Sequence, residues 1–366
     1  MPSAAVHRLP AGAPDDVSAV ERAFAEGGID PRSVVAVLGK TEGNGCVNDI
    51  TRAYAAAEFR RLLGKHLGEA AAGAVCLVMS GGTEGALAPH WLVLERREGG
   101  RGSSPSLALG RAHTAPLPPE ALGRRAQAMM VAEGVRAAMD EAEIDDPADV
   151  HFVQVKVPLL TAARVAAAAA RGVGVATRDT LKSMGLSRGA AALGVALALA
   201  LGEVGAEMVT DEAIGRDTGL WSSRASTSAG VELEGHEIVV MGMSGRWAGA
   251  LAIDHAVMAD QVDVEPVRAA LARLGLDSQG QLDAEQRRRL VALLAKADPG
   301  TGGSLRGRRH TMLDDSDIPA TRHARAFVGG ALAGLVGHAE LFVSGGAEHQ
   351  GPDGGGPVAV IVDRGT

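Results

Sequence analysis

The sequence predicts an α/β fold built from three similar repeat units arranged around a pseudo-threefold axis, with a composite site shared among them. Three observations predict it. First, the pattern Ser, small residue, Gly, any residue, Glu occurs as Ser80-Gly81-Gly82-Thr83-Glu84, Ser228-Ala229-Gly230-Val231-Glu232 and Ser344-Gly345-Gly346-Ala347-Glu348. Second, each copy follows an Arg in a small-residue, helix-like segment: Arg52 in TRAYAAAEF, Arg188 in SRGAAALGVAL and Arg322 in TRHARAFVGGAL. Third, each Arg follows a Lys that closes an apolar run: Lys40 after VVAVLG, Lys156 after VHFVQV and Lys296 after LVALLA. One such match is noise, but the same order three times over is an internal repeat. Its period, above about a hundred residues, is too long for a solenoid and indicates similar domains.

Composition and the anchors delimit the units. The first spans 1–103 and closes in the Gly/Ser/Pro stretch GGRGSSPS, the second spans 112–250, and the third spans 254–366. Each reads as strand, loop with Lys, Ala-rich helix with Arg, and strand into the Ser motif, an alternation that gives α/β units. VVAVLGK (34–40) and AVCLVMS (74–80) bracket the helix around Arg52. LVALLAK fits strand or helix, because so short an apolar run does not separate the two. The middle unit carries an extra Ala-rich helix at 162–171.

Composition narrows the function classes. The chain has 366 residues, 46% of them hydrophobic, which is globular rather than disordered. A net charge of −8 with both signs interspersed leaves no polybasic footprint for nucleic acid or anionic lipid. Aromatics at 2% leave few platforms for stacking bases. The basic run Arg306-Gly307-Arg308-Arg309-His310 lies beside Asp314, Asp315 and Asp317 and reads as a self-paired loop. Two cysteines, Cys46 and Cys76, suggest no disulfide framework and fit a reducing compartment. The N-terminus lacks the apolar stretch of a signal peptide, and the longest apolar run, AALGVALALALG, falls short of the roughly 20 residues of a bilayer span. A cytoplasmic location is expected.

The repeated residues suggest chemistry. A serine hydroxyl becomes nucleophilic once a base removes its proton, and small neighbours let the backbone approach a substrate and bind an oxyanion. A single Ser-Gly turn needs no such explanation; three copies with Glu at one offset do. Lysine is protonated at its ordinary pKa, but burial and nearby arginines favour the neutral amine, a competent base beside Ser. Lys156 stands out, because it lies inside the apolar run VHFVQVKVPLL. No Asp and His recur with the serines, so a Ser-Lys dyad is favoured over a Ser-His-Asp triad. Three converging guanidinium groups suit a flat, carbonyl-rich ligand. Gly39-Lys40-Thr41 resembles the end of a phosphate-binding loop, but Val34 stands where that loop needs Gly. His255, His310, His323 and His349 lack zinc-ligand spacing, so a catalytic zinc is not expected.

The stretches GKTEGNGCVNDITR (39–52), VMSGGTEG (78–85), FVQVKVPLLT (152–161), STSAGVELEG (226–235), RGRRHTMLDDSDI (306–318) and LFVSGGAEHQGPDGGG (341–356) resemble the cyanuric acid hydrolase family, which also contains barbiturase. The resemblance spans essentially the full chain. It implies hydrolytic opening of a cyclic imide: cyanuric acid to carboxybiuret, which loses CO2 to give biuret. It implies substrate-binding roles for Arg52, Ser80, Gly81, Arg188, Ser228, Ala229, Arg322, Ser344 and Gly345. Lys156 becomes the base and Ser228 the nucleophile, with Lys40 and Lys296 in supporting dyads. Ser228 is chosen over Ser226 because only Ser228 is followed by small-Gly-x-Glu. The resemblance also implies a homotetramer, no organic cofactor, and a structural divalent cation, Mg²⁺. The cation's positions here are Asp298, Ala347, Gln350, Gly351, Pro352 and Gly355, where Asp298 replaces the family's Glu. Barbituric acid is the alternative substrate. A non-catalytic binding protein for a planar trigonal ligand, or a purely structural repeat, are readings from other classes.

Overall fold

The computed structural model describes residues 1–365. The first unit runs β1 (Ser3–Pro10), α1 (Ser18–Ala25), β2 (Val34–Thr41), α2 (Ile50–Leu67), α3 (Glu69–Gly73), β3 (Cys76–Gly81) and β4 (His90–Arg97). The second runs β5 (Ser106–His113), α4 (Arg125–Glu141), β6 (Val150–Pro158), α5 (Ala162–Ala170), α6 (Thr180–Leu199), β7 (Ala225–Gly230) and β8 (Glu237–Ser244). The third contains β9 (Leu251–Met258), α7 (Glu265–Arg273), α8 (Ala284–Arg289) and β10 (Leu290–Ala297). After these come the small hairpin β11 (Ser304–Leu305) and β12 (Arg308–Arg309), then α9 (Ala320–Val336), β13 (Phe342–Gly345) and β14 (Gly356–Asp363).

The strands form three four-stranded mixed sheets, ordered β1-β4-β2-β3, β5-β8-β6-β7 and β9-β14-β10-β13. Each has its unit's strands in the order first, fourth, second, third, with the second and third parallel. LVALLAK is therefore a strand: partners on both sides of β10 decide what periodicity leaves open. β5 and β9 begin upstream of 112 and 254. Their starts are set by pairing of Ser106 with Ser244 and Leu251 with Asp363, which local composition does not carry.

The second strand of each unit, β2, β6 or β10, is interior to its sheet and buried almost throughout, which is why it reads as a continuous apolar run. Alternate residues serve opposite faces. In the first unit Leu38 and Val78 enter a core shared with Phe152 and Val155 of the second sheet and Leu294 and Phe342 of the third. Val37, Leu77 and Met79 instead meet Ala55, Phe59, Leu62 and Leu63 of α2. Asp49 starts α2 by accepting from Thr51 N at 3.0 Å, and Asp179 starts α6 from Lys182 N at 3.0 Å. These caps fix where the arginine-bearing helices begin. In the basic loop Arg309 pairs with Asp314 at 2.7 Å, as expected of a self-paired segment, whereas Arg306 reaches out to Asp260. Among the described residues, no helix is long and apolar enough to cross a membrane.

Candidate active site

The strand register joins each lysine to its serine. Lys40 lies opposite Ser80, Lys156 opposite Ser228 and Lys296 opposite Ser344, each across a parallel pair of strands. Because β-neighbours set this proximity, it survives the very different loop lengths between them. All three lysines are buried, at 0%, 0% and 1% exposure. The apolar setting that singles out Lys156 in the sequence is thus common to all three.

Arg52, Ser80, Gly81, Arg188, Ser228, Ala229, Ser344 and Gly345 line one pocket. Arg322 does not. Its side chain is 37% exposed and reaches only Glu84, while Arg325, one turn further along α9 and 4% exposed, lines the pocket in its place. Residues three apart share a helix face one turn apart, so both arginines reach Glu84 while the second alone of the two lines the pocket, and the neighbours carry the sign. Arg52-Ala53, Arg188-Gly189 and Arg325-Ala326 each continue with a small residue, whereas Arg322 is followed by His323. Gly45 and Met184 also line the pocket; neither belongs to a repeated motif. Ser226 is excluded from it: the residue is fully buried and its hydroxyl donates to Gln154 Oε1 at 2.7 Å.

The three motif glutamates do different things. Glu84 holds Arg325 through two hydrogen bonds, at 2.7 and 2.5 Å, and Glu348 holds Arg188 likewise, at 2.7 and 2.6 Å. Both are fork-to-carboxylate clamps between units, which orient the guanidinium planes. Glu232 makes no such clamp. Its Oε1 lies 2.7 Å from Lys156 Nζ as an ion pair. Arg52 instead donates to Ala229 O at 2.9 Å and to Cys46 O at 2.5 Å.

The third motif position explains itself through the same contacts. A Cβ on Gly82 would come within 2.4 Å of Arg325, and one on Gly346 within 2.6 Å of Arg188; both glycines have positive φ. Gly230 lacks positive φ, and there a Cβ would meet Glu232 at 2.1 Å, because that side chain folds back over it.

These charges set the lysines apart. Burial, then Arg325, pushes Lys40 well below the usual lysine range, and burial with Arg188 does the same to Lys296. Burial also lowers Lys156, but the Glu232 carboxylate opposes the fall. Burial would raise Glu348, yet Arg188 brings it down to about 2. Lys296 Nζ lies 3.2 Å from Ser344 Oγ and Lys40 Nζ 3.5 Å from Ser80 Oγ. Among the described residues Lys156 makes no hydrogen bond to Ser228; its Nζ donates to Met79 O at 2.6 Å. Ser228 Oγ is 3.1 Å from Ser344 Oγ.

Beside this pocket, Asp298, Ala347 and Gly351 line a second cavity with Glu348 and Asp353. Burial, then Glu348, raises the Asp298 carboxyl to about 6. Gln350 is fully buried, its Oε1 accepting from Thr227 N at 2.6 Å, and Gly355 N donates to Pro352 O at 2.8 Å. Asp298 Oδ2 accepts from Gly300 N at 3.3 Å and Gly354 N at 3.2 Å, beside the Glu348 and Asp353 carboxylates.

A family model described as an amidohydrolase ring-opening protein matches residues 5–363. A cyanuric acid amidohydrolase of Bradyrhizobium sp. (strain ORS 375) is 62% identical over 98% of this chain and 97% of its own. One from Azorhizobium caulinodans is 61% identical, covering 100% and 99%. The crystal structure of cyanuric acid hydrolase from A. caulinodans superposes with a TM-score of 0.93 at 61% identity, covering 100% of both chains. A second cyanuric acid hydrolase structure, described as an evolutionary innovation by structural concatenation, gives 0.94 at 48% identity, covering 99% of this chain and 100% of the other.

Proposed function

The chain belongs to the ring-opening amidohydrolase family, and from that premise we propose that it opens the ring of cyanuric acid, with Ser228 as nucleophile and Lys156 as base. The three sheets sit around a pseudo-threefold axis, and the flat substrate lies on it. Its carbonyls face Arg52, Arg188 and Arg325 and the three Ser-small-Gly turns. The observation that carries the assignment is the Lys156–Glu232 contact of 2.7 Å. A general base must hold the proton that it takes, so it works best with a pKa near the operating pH. Burial makes the Lys156 amine available, and Glu232 stabilises the ammonium that forms. Lys40 and Lys296 each have a serine, but among the described residues neither has a carboxylate at this distance.

Lys156 takes the Ser228 proton while Oγ attacks a ring carbonyl. Arginine and backbone donors stabilise the oxyanion. The C–N bond breaks, the ring nitrogen receives the proton from Lys156, and water then hydrolyses the acyl-enzyme to carboxybiuret, which loses CO2 to give biuret. The Asp298 loop with Ala347, Gln350, Gly351, Pro352 and Gly355 would hold Mg²⁺, whose charge steadies a segment that also supplies Glu348.

A second reading has its own observation. Ser228, Ser344 and Lys296 form a chain of 3.1 and 3.2 Å contacts, which would route the Ser228 proton to Lys296. Ring-opening rates of Lys156→Ala and Lys296→Ala separate the two: the base is the lysine whose loss removes about 10²–10⁴-fold or more of kcat. Barbituric acid is the alternative substrate, and turnover of the two imides by the wild type decides between them.

A further inference from the structure

At two of the three seams between units, an arginine on a unit's first strand reaches the start of a neighbouring unit's second strand. Arg8 Nη1 donates to Leu290 O and Val291 O, each at 3.4 Å. Arg111 Nη1 donates to Val34 O at 3.4 Å and Val35 O at 3.2 Å. The registers place His255 at the equivalent point of the third seam. Arg8 pairs through Leu92 with Leu38, Arg111 through Val239 with Gln154, and His255 through Ala359 with Leu294; each of these last residues lies two before its unit's lysine. Facing His255, where the other seams have Val35 and Val291, is His151.

The third seam is thus built from different chemistry. His151 Nδ1 and His255 Nδ1 stand 2.8 Å apart, and Asp254 Oδ1 is 3.4 Å from the first and 3.7 Å from the second. Among the described residues, this is the one group of three His, Cys, Asp or Glu side chains whose ligand atoms all lie within 4.8 Å of one another. The edges of a tetrahedral site with zinc-to-nitrogen bonds of the usual length are about 3.3 Å, within the range of this triangle. Arg273 Nε donates to Asp254 Oδ2 at 2.5 Å, which turns Oδ1 toward the imidazoles. Such outer support is what orients metal ligands. The side chains are 17%, 11% and 20% exposed, so an ion and a water ligand have access.

We propose that His151, Asp254 and His255 form a binding site for a first-row transition cation of the Zn²⁺ or Co²⁺ type, tying β6 to β9 across the seam. Burial, then the nearby Arg224, keeps His255 neutral, as a ligand must be. Both Nδ1 atoms need free lone pairs, so a hydrogen carried on either Nδ1 moves to Nε2 of its own ring and no proton is lost. The two flanking arginines, Arg224 and Arg273, are offset by Glu203 and Asp254. The site is separate from the reaction pocket and from the hard-oxygen loop at Asp298, and it stands whether or not the reading of the reaction does.

The test is a Co²⁺ titration of the chelator-treated full chain, followed by visible absorption, with His255→Gln alongside. Expected is a saturable nitrogen-ligated Co²⁺ band in the wild type, its affinity lowered at least about 10–100-fold in the variant. Zn²⁺ should raise the wild-type Tm and not that of the variant, while circular dichroism and ring-opening rates stay equal. Should His255→Gln fail to fold, His151→Gln serves the same comparison. A wild type without such a band, or variants that keep it at unchanged affinity, overturns the site.

Discussion

Glu232 lies 2.7 Å from Lys156, whereas Glu84 and Glu348, at the same motif position, clamp Arg325 and Arg188. Three copies of one motif therefore make two arginine holders and one lysine partner. The sign of its effect on pH is definite. Glu232 raises the Lys156 pKa against burial, and the base acts when neutral. Glu232→Gln lowers that pKa, so the rising limb of kcat against pH should move to lower pH. The plateau should fall by about 10–100-fold, because the base is weaker and its ammonium unsupported. KM should change little. A limb that moves upward, or an unchanged kcat, contradicts this role.

Arg325 and Arg322 both touch Glu84, but only Arg325 lines the pocket. Arg325→Ala is expected to cost about 100-fold or more in kcat/KM, the scale of one lost preorganised donor. Arg322→Ala, at a half-exposed position, should stay within about threefold, since exposed ion pairs contribute about 0–1 kcal/mol. Steady-state kinetics of the two variants provide the comparison. Arg325→Lys should not rescue, because a single ammonium does not reproduce the fork.

Glycine at the third motif position answers to three different neighbours. Gly346→Ala pushes a methyl into the Arg188 guanidinium at a backbone conformation with positive φ, so it should raise KM and lower Tm together. Gly230→Ala has no such backbone strain. Its methyl collides with Glu232, and its main expected effect is the lowered kcat and shifted pH limb of Glu232→Gln.

The Asp298 carboxyl, raised to about 6 by burial and Glu348, links cation binding to pH. A folded-state pKa raised above the unfolded one gives a contribution to stability that is complete below the unfolded value near 4 and is lost as pH rises through about 6. The chelated protein should accordingly lose stability over that window, where the carboxylate charges without a partner. Added Mg²⁺ should raise Tm more at pH 7 than at pH 5, where protons compete, and Asp298→Asn should remove most of the difference. An equal Mg²⁺ effect at both pH values would argue against Asp298 as a ligand.

Much of this was legible in the chain. The apolar runs before Lys40, Lys156 and Lys296 mark interior strands because burial on both faces demands it, and the Ser motifs mark the parallel neighbours. Arg322 and Arg325 stand one turn apart on α9, and which turn meets the pocket depends on how the helix is seated on its sheet. The split roles of Glu84, Glu232 and Glu348 were hidden for a related reason: their partners lie on other units or across strands, and no local pattern records which way a side chain folds. His151 and His255 are far apart in sequence and meet only through the register of β6 and β9.

The central claim is that the three serines share the grip and one does the chemistry. Ring opening of cyanuric acid by Ser228→Ala, measured beside Ser80→Ala and Ser344→Ala, tests it most directly. The account predicts no detectable turnover for Ser228→Ala and measurable, weakened turnover for the other two. Full activity in Ser228→Ala with a dead Ser80→Ala would place the nucleophile in the wrong unit and contradict it.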